Sequence, residues 1–237
     1  MSATGRAGGV FVTGTDTGIG KTFVTSALVR ALVRRGIAAA GMKPVATGAM
    51  RVAGALVNDD ALALQAAAGS APPYADVNPY VFAPPVAPHL AATAADIRID
   101  FEVIHAAWRR LSRHAEFIVV EGVGGWLVPL NETGTVADLA RHLDLPVLLV
   151  VGLRLGCINH ALLTARAIEN AGSRLLGYVC SCVDPAYAGV NETVAALQTR
   201  IVAPCLGVVP HCARADHEPV DAALAGLAAR MHADAIA

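Results

Sequence analysis

Residues 10–22 read VFVTGTDTGIGKT, an apolar β-branched stretch that passes through a glycine-containing turn into Gly20-Lys21-Thr22. Directly after Thr22, apolar residues recur at helical spacing: Val24, Ala27, Leu28, Ala31 and Leu32. This order predicts a strand, a loop and a helix. The N–H groups that open such a helix, with a lysine and a hydroxyl beside them, surround the phosphates of a nucleotide and its Mg2+. The sequence therefore predicts that a nucleoside triphosphate binds here.

This loop departs from the usual phosphate-binding pattern. A glycine normally stands five residues before the glycine of the Gly-Lys pair, and here that position is Thr15, with Gly14 one step earlier. The alternative is a strand-to-helix turn whose glycines serve backbone geometry alone. Because the helical pattern begins where a phosphate site needs it, we interpret the segment as a phosphate-binding loop.

Composition bounds the class of protein. The chain has 237 residues, a net charge of −1 and no basic run, which argues against nucleic acid as a partner. Its 55% hydrophobic and 16% charged residues suit a sheet buried on both faces and suggest a covering partner subunit. The apolar stretch 146–153 is too short to span a bilayer. Residues 1–6 lack the apolar core of a signal peptide, so we expect a cytoplasmic protein with no membrane partner.

Cysteine usage gives no sign of a metal site. The five cysteines are an odd number without Cys-x-x-Cys spacing, and Cys180 and Cys182 are too close for the common zinc pairs. We interpret them as small buried apolar residues in a reducing compartment.

Strand-like and helix-like segments alternate along the chain. Strands are predicted at 37–42, 117–120, 147–151, 175–183 and 206–209, and helices at 59–65, 101–113, 136–143, 160–171 and along the stripe 220–231. Residues 72–88 hold six prolines without a period and are predicted to form a loop or lid. The alternation predicts an α/β fold, a mostly parallel sheet flanked by helices with right-handed crossovers, in one P-loop NTPase-like domain over residues 1–237.

Candidate functional residues follow the strands, where parallel sheets bind ligands. Lys43 follows the second strand. Glu121 ends an apolar strand and opens EGVGG, residues 121–125, in the place where nucleoside triphosphatases carry a second Mg2+ ligand. The glycines allow backbone N–H groups to approach a ligand, although a tight turn would also explain them.

Six blocks in order then resemble one known family. They are GTDTGIGKT (14–22), KPVATG (43–48), DALAL (60–64), VNPY (77–80), EGVGG (121–125) and GCINH (156–160), spread over roughly residues 9 to 210. Together they resemble dethiobiotin synthetase.

The resemblance implies an enzyme of biotin synthesis. Its reaction is the ATP- and Mg2+-dependent carboxylation and ring closure of 7,8-diaminopelargonic acid with CO2, giving dethiobiotin, ADP and phosphate. One amine forms a carbamate, the carbamate attacks the γ-phosphate of ATP, and the second amine displaces phosphate from the carbamic–phosphoric anhydride. Such chemistry needs cations and oriented N–H donors more than a nucleophilic side chain.

The resemblance also implies roles for single residues. Catalysis would fall to Lys21, Lys43 and Thr17, and Mg2+ to Thr22, Asp60 and Glu121. ATP would contact Asp16, Gly18, Ile19, Gly20, Lys21, Thr22, Phe23 and Ser181. The substrate would contact Thr17, Lys43, Thr47 and Gly124, with Gly156, Cys157 and Asn159 supplied by the neighbouring subunit of a homodimer.

Plainer interpretations remain open for several of these residues. Asp60 would also suit a helix start, Lys43 a solvated strand end, and Asn159 a helix cap. Three positions depart from the family pattern: Gly18 stands where some relatives carry glutamate, Val123 replaces the usual alanine, and Ser181 stands where the family often has an asparagine that reads adenine. A serine makes fewer simultaneous base contacts than an amide, so we expect weaker selection for adenine.

Other functions of the same fold compete with this one. A partition or septum-placement switch ATPase would carry a signature lysine five residues before Lys21, and Asp16 stands there. A relative that amidates a larger acid usually appends a glutamine-cleaving domain, for which this chain is too short. A nucleotide-binding protein without catalysis fits poorly with Lys21, Thr22 and Glu121 all present.

Overall fold

The computed structural model describes residues 7–211 and Gly226. The strands are β1 (Gly8–Gly14), β2 (Ala39–Met42), β3 (Val45–Ala46), β4 (Met50–Val52), β5 (Ala55–Val57), β6 (Tyr80–Val81), β7 (Phe117–Glu121), β8 (Val147–Leu153), β9 (Leu175–Cys182) and β10 (Cys205–Val209). The helices are α1 (Lys21–Arg34), α2 (Asp59–Ala67), α3 (Tyr74–Val77), α4 (Pro88–Ala94), α5 (Phe101–Leu111), α6 (Val136–His142), α7 (Cys157–Asn170) and α8 (Val190–Gln198).

Six strands form the central sheet in the order β10-β9-β8-β1-β7-β2, and every neighbouring pair is parallel. A parallel pair β3-β6 and an antiparallel hairpin β4-β5 lie outside it. Consecutive strands of the central sheet are joined through helices, which confirms the predicted α/β class. The carboxyl ends of β1, β7 and β8 are neighbours, so the loops that follow them meet at one edge of the sheet.

Both faces of the sheet are buried because side chains alternate along each strand. Phe11 lies in one core with Trp108 of α5 and Ile168 of α7. Val10 and Val12 lie in the other, against Leu28 of α1. The apolar runs that predicted the strands are thus explained by packing on both sides.

The proline-rich segment 72–88 is where the sequence prediction was wrong. It contains α3, β6 and the first residue of α4 instead of a loop without elements. The side-chain amide of Asn78 donates to the carbonyl oxygens of Lys43 at 2.7 Å and Tyr80 at 3.0 Å. A buried side chain therefore holds these short elements against β2, and periodicity could not reveal it.

Other boundaries differ by a few residues. Strand β2 begins at Ala39 instead of residue 37, and α7 begins at Cys157 instead of residue 160. The β4-β5 hairpin was not predicted. The predicted helical stripe 220–231 lies outside the described residues, apart from Gly226. Within residues 7–211, every helix is too short or too polar to cross a bilayer.

Candidate functional site

The loop between β1 and α1 is shaped by close packing at Gly20. Gly20 caps α1 with φ +86°, a left-handed conformation that favours glycine. A Cβ atom there would lie 2.7 Å from the hydroxyl of Ser181, the last residue but one of β9. Any larger residue would be strained and would clash, so the loop can present its N–H groups at the helix start only with glycine here.

Lys21, the first residue of α1, is buried beneath this loop. Its ammonium donates to the main-chain oxygen of Asp16 at 2.6 Å. Burial first, and then the charge of Lys43, lower the pKa of Lys21 to about 8. The lysine is thus still a cation at neutral pH, held inside the loop that would receive phosphates.

Asp16 is fixed by neighbours on both sides. Its carboxylate accepts the N–H of Thr17 at 2.7 Å and the guanidinium of Arg154 at 2.5 Å. The Thr17 N–H, and then Arg154, lower the pKa of Asp16, although partial burial opposes them. Arg154 follows β8, so this ion pair joins the loops after two neighbouring strands. The same strand-end argument that singled out Lys43 and Glu121 would have found Arg154.

A second cluster lies at the ends of β2 and β7. The ammonium of Lys43 is 2.5 Å from Glu121 Oε1 and 3.1 Å from Asp60 Oδ2. The hydroxyl of Thr22 donates to the same Glu121 oxygen at 2.9 Å. Glu121 is fully buried, and its Oε2 has no hydrogen-bond partner among the described residues. Three oxygen-bearing side chains from α1, α2 and β7 therefore converge on one lysine.

The charges in this cluster support one another. Burial alone would lower the pKa of Lys43, but the charges of Glu121 and Asp60 outweigh it and raise that pKa. Burial opposes ionisation of Asp60, yet Lys43 lowers its pKa. Asp60 is also placed by its helix: the side chain of Asn58 caps α2 by accepting the N–H of Asp60 at 3.1 Å. Asp60 therefore lies at a helix start and in the cluster at once.

One cleft of about 870 Å3, here called the central cleft, joins the loop to this cluster. The predicted site residues that line it are Thr17, Gly18, Gly20, Lys21, Thr22, Phe23, Lys43, Thr47, Asp60, Glu121 and Gly124. Its wall also includes the segment 85–88, part of the stretch predicted to form a loop or lid, and Asn58, which the sequence did not indicate. The size is that of a ligand such as a nucleotide with a small acid.

Three predicted nucleotide contacts lie behind the cleft lining. Ile19 is buried and packs closely against Gly14 and Gly152. A Cβ atom on either glycine would lie within 2.7 Å of the Ile19 side chain. Asp16 faces Arg154. Ser181 is only 6% exposed and contacts the back of the loop at Gly20. These side chains support the loop, and the cleft lining within the described residues does not include them.

The remaining predicted substrate contacts lie elsewhere. Gly156 and Asn159 are exposed at the start of α7, Cys157 is buried beneath them, and the central cleft of the same chain is not lined by any of the three. Gly156 caps α7 with φ +90°, and no described atom lies within 4 Å of a Cβ built there. Leu155 beside it is 92% exposed. The structure of one chain thus leaves this helix start open.

Comparisons with known proteins identify the family. An AAA domain family model matches residues 8–218. The chain is 51% identical to the ATP-dependent dethiobiotin synthetase BioD of Aromatoleum aromaticum, over 90% of this chain and 95% of that one. It is 49% identical to the protein of the same name from Pseudomonas aeruginosa, over 90% and 94%.

Solved structures with the same fold are more distant. The MinC:MinD cell division protein complex of Aquifex aeolicus contains a chain with TM-score 0.60 and 16% identity, covering 96% of both chains. Chloroplast FtsY of Physcomitrella patens matches with TM-score 0.53 and 16% identity, over 94% of this chain and 67% of that one. At such identities the likeness shows the P-loop NTPase-like fold alone. The half-identical relatives, matched over nearly their whole length, show that the chain belongs to the dethiobiotin synthetase family.

Proposed function

We propose that the protein is an ATP-dependent ligase that converts 7,8-diaminopelargonic acid and CO2 to dethiobiotin, with release of ADP and phosphate. The observation that carries this proposal is the convergence of Lys21, Lys43 and Glu121 in one cleft at the carboxyl edge of the sheet. Names of relatives about 50% identical over most of the chain support the same reaction.

The oxygen ligands of the cleft fit Mg2+. A hydroxyl and two carboxylates, on Thr22, Asp60 and Glu121, are the hard donors that this ion prefers. The buried Oε2 of Glu121, without a hydrogen-bond partner in the described structure, is a donor that a cation would satisfy. When bound, Mg2+ would neutralise the negative charge that accumulates on the phosphates during transfer.

The chain's own cations serve the phosphoryl transfer. Lys21 lies under the loop whose N–H groups receive the phosphates, and it would stabilise the transferring group. Thr22 is the second residue of the same helix, so one element would both bind the phosphates and orient them. Because the reaction does not require a side chain to form a covalent bond with the substrate, positioned charges would provide most of the rate enhancement.

The other end of the cleft would hold the diamine. A free amine of the substrate forms a C–N bond to CO2 and loses a proton, giving a carbamate. A carbamate oxygen attacks the γ-phosphorus and ADP leaves; the second amine then attacks the carbonyl carbon, loses a proton and expels phosphate. Lys43, Thr47 and Thr17 line this part of the cleft and would hold the carbamate. Gly124 also lines the cleft, and its backbone N–H would donate to the same ligand.

We propose further that the enzyme acts as a cytoplasmic homodimer in which Gly156, Cys157 and Asn159 bind the carboxylate tail of the partner's substrate. The exposed start of α7 supports this arrangement, since Gly156 and the side chain of Asn159 are open to solvent beside the exposed Leu155. An anion at a helix start is stabilised by those N–H groups.

Phosphate release from MgATP tests the reaction, with diaminopelargonic acid and bicarbonate each omitted in turn. We expect release only when both are present, together with formation of dethiobiotin. Release that is indifferent to both would instead identify a switch ATPase, the alternative that shares this fold. The position that distinguishes that class is Asp16, whose side chain here pairs with Arg154.

A further inference from the structure

Lys43 forms ion pairs with two of the side chains that are proposed to bind Mg2+. Its ammonium lies 2.5 Å from Glu121 Oε1 and 3.1 Å from Asp60 Oδ2, and the lysine is only 4% exposed. The ammonium also lies 3.5 Å from the main-chain oxygen of Gly122. Lys43 is therefore the counter-ion shared by two converging carboxylates, one of which is fully buried.

An ammonium and a divalent cation compete for one oxygen pair. Both need the lone pairs of Glu121 and Asp60, and their charges repel each other strongly where water is excluded. We propose that divalent metal displaces Lys43 from Glu121 and Asp60, and that the released ammonium turns past Gly122 towards the substrate end of the cleft. This exchange rests on the proposed function, because that function supplies the metal ligands. It would make metal binding the step that delivers Lys43 to the carbamate.

The composition of the chain offers a direct test. Lys21 and Lys43 are the only lysines in the sequence, so protein labelled with 13C-lysine gives two side-chain NMR signals. They are assigned with Lys21→Arg and Lys43→Arg. We expect titration with Mg2+, without nucleotide or substrate, to move the Lys43 signal and to move the Lys21 signal less. A Lys43 signal that stays in place while Mg2+ binds would overturn the exchange.

Affinity for Mn2+, measured by electron paramagnetic resonance, gives a second readout. Removing the competing ammonium in Lys43→Met should tighten Mn2+ binding by about tenfold or more relative to the native chain. Lys21→Met is the matched control, since it removes a cleft charge that hydrogen-bonds the main-chain oxygen of Asp16 and acts on Glu121 and Asp60 only through space. Equal affinities of the two variants would contradict the proposal, and if Lys43→Met does not fold the NMR titration decides.

These experiments separate the exchange from the reaction. They use no ATP and no diamine, so a failed turnover assay leaves their outcome unchanged. If neither the native chain nor Lys43→Met binds Mn2+, the metal ligands are wrong and the exchange falls with them. If metal binds and Lys43 moves while no dethiobiotin forms, the exchange holds and the proposed reaction fails.

A separate group of side chains, on α5 and α6, points to a second cation site. Glu102 and His105 lie one turn apart on α5, and His142 is the last residue of α6. Their ligand atoms all lie within 4.8 Å of one another, and His142 Nε2 is 3.4 Å from Glu102 Oε1. The lining of the central cleft, over the described residues, contains none of them.

The donor set favours a transition metal. Two imidazoles and a carboxylate suit Zn2+, Ni2+ or Co2+ and do not suit Mg2+. The Nε2 atom of His142 is buried and has no hydrogen bond within the described structure, and its ring is held against Phe101 and His105. We infer that Glu102, His105 and His142 bind one such ion, which leaves at least one coordination position open to solvent.

Calorimetric titration of the full chain with Zn2+, in millimolar Mg2+ to occupy the oxygen ligands of the cleft, tests this site. We expect one equivalent to bind, with affinity reduced at least about tenfold in His142→Asn and in Glu102→Gln. His114→Asn is the control, because His114 is exposed and lies outside the group. Equal binding by His142→Asn and the control, or no binding by the native chain, would overturn the inference.

Discussion

Two helices of this protein begin in the same way and lie in different surroundings. Helices α1 and α7 follow the neighbouring strands β1 and β8, and each is capped by a left-handed glycine, with φ +86° at Gly20 and +90° at Gly156. Neither cap has a side-chain hydrogen bond. Around Gly20 the structure is packed tightly by Ser181, whereas no described atom lies within 4 Å of a Cβ at Gly156.

The difference shows that a glycine-capped helix start is only part of a site. At α1 the start is completed within the chain, by Lys21 and Thr22 and by the acidic cluster across the cleft. At α7 the completing groups have to come from elsewhere, which is why we propose a partner subunit. In the proposed dimer, one chain would supply the catalytic half of a site and its partner the half that binds the substrate carboxylate.

The largest expected effect is at the α1 start. Lys21→Ala removes the cation beneath the phosphate loop and should reduce turnover by about 10³-fold or more, since positioned charge carries phosphoryl transfer. Dethiobiotin formation is measured, with circular dichroism to show that the variant is folded. A folded variant with near-normal turnover would show that Lys21, at the start of α1, does not contribute to catalysis.

Glu121→Gln should reduce both turnover and stability. The neutral amide no longer balances Lys43, although Asp60 keeps one contact, so we expect the free energy of unfolding to fall by about 3 kcal/mol. Turnover should fall by about 100-fold through loss of a metal ligand. Urea unfolding and dethiobiotin assays measure the two effects. Asp60→Asn is the comparison, and its loss of stability should be smaller because Asp60 is 41% exposed; equal losses would contradict burial as the cause.

Asn159→Ala tests the α7 start. Loss of a hydrogen bond to the substrate carboxylate should raise KM for diaminopelargonic acid by about 20-fold and leave KM for ATP unchanged. Mixing this variant with Lys21→Ala sharpens the test. In a mixed dimer one site carries both defects and the other carries neither, so activity should return. The mixture is assayed at a diaminopelargonic acid concentration well below the raised KM, and a mixture no more active than the separate variants would place both helix starts in the same chain.

The pH dependence of nucleotide binding should be smaller but diagnostic. Burial lowers the pKa of Lys21 to about 8, so its positive charge is present below that pH and is lost above it. We expect a non-hydrolysable ATP analogue to bind about fivefold more weakly at pH 9.5 than at pH 7. Fluorescence titration measures this, and Lys21→Arg, charged throughout, should show a flat profile. A native profile as flat as that of the variant would remove Lys21 from nucleotide binding.

The smallest effect concerns Ser181, which supports the loop at Gly20. If the serine also replaces an adenine-reading amide, the native enzyme should use CTP and GTP nearly as well as ATP, and Ser181→Asn should raise the ATP preference by about threefold. The base preference is measured as the ratio of kcat/KM for ATP to kcat/KM for CTP or GTP. A strong ATP preference in the native chain would show that Ser181 does not set base selection.

Sequence patterns were informative wherever one kind of physical constraint acted alone. Buried strands, the helix after Thr22 and the strand-end residues Lys43 and Glu121 follow from periodicity and from the geometry of parallel sheets. The segment 72–88 did not follow, because Asn78 holds it through bonds to backbone atoms distant in sequence. For the same reason no pattern indicated that Lys43 pairs with both Asp60 and Glu121: the pairing joins residues 17 and 78 positions apart.

The ion pair between Asp16 and Arg154 has a consequence for cooperativity. Within one chain it ties the loop that would close on ATP to the segment leading into α7, the part offered to the partner's substrate. In the proposed dimer, nucleotide binding at one site would then be felt at the other. Both side chains are nearly half exposed, so the coupling is limited to about 1 kcal/mol, a few-fold change in affinity. The KM of the native enzyme for diaminopelargonic acid should therefore change a few-fold between low and saturating ATP, and this change should shrink in Arg154→Ala.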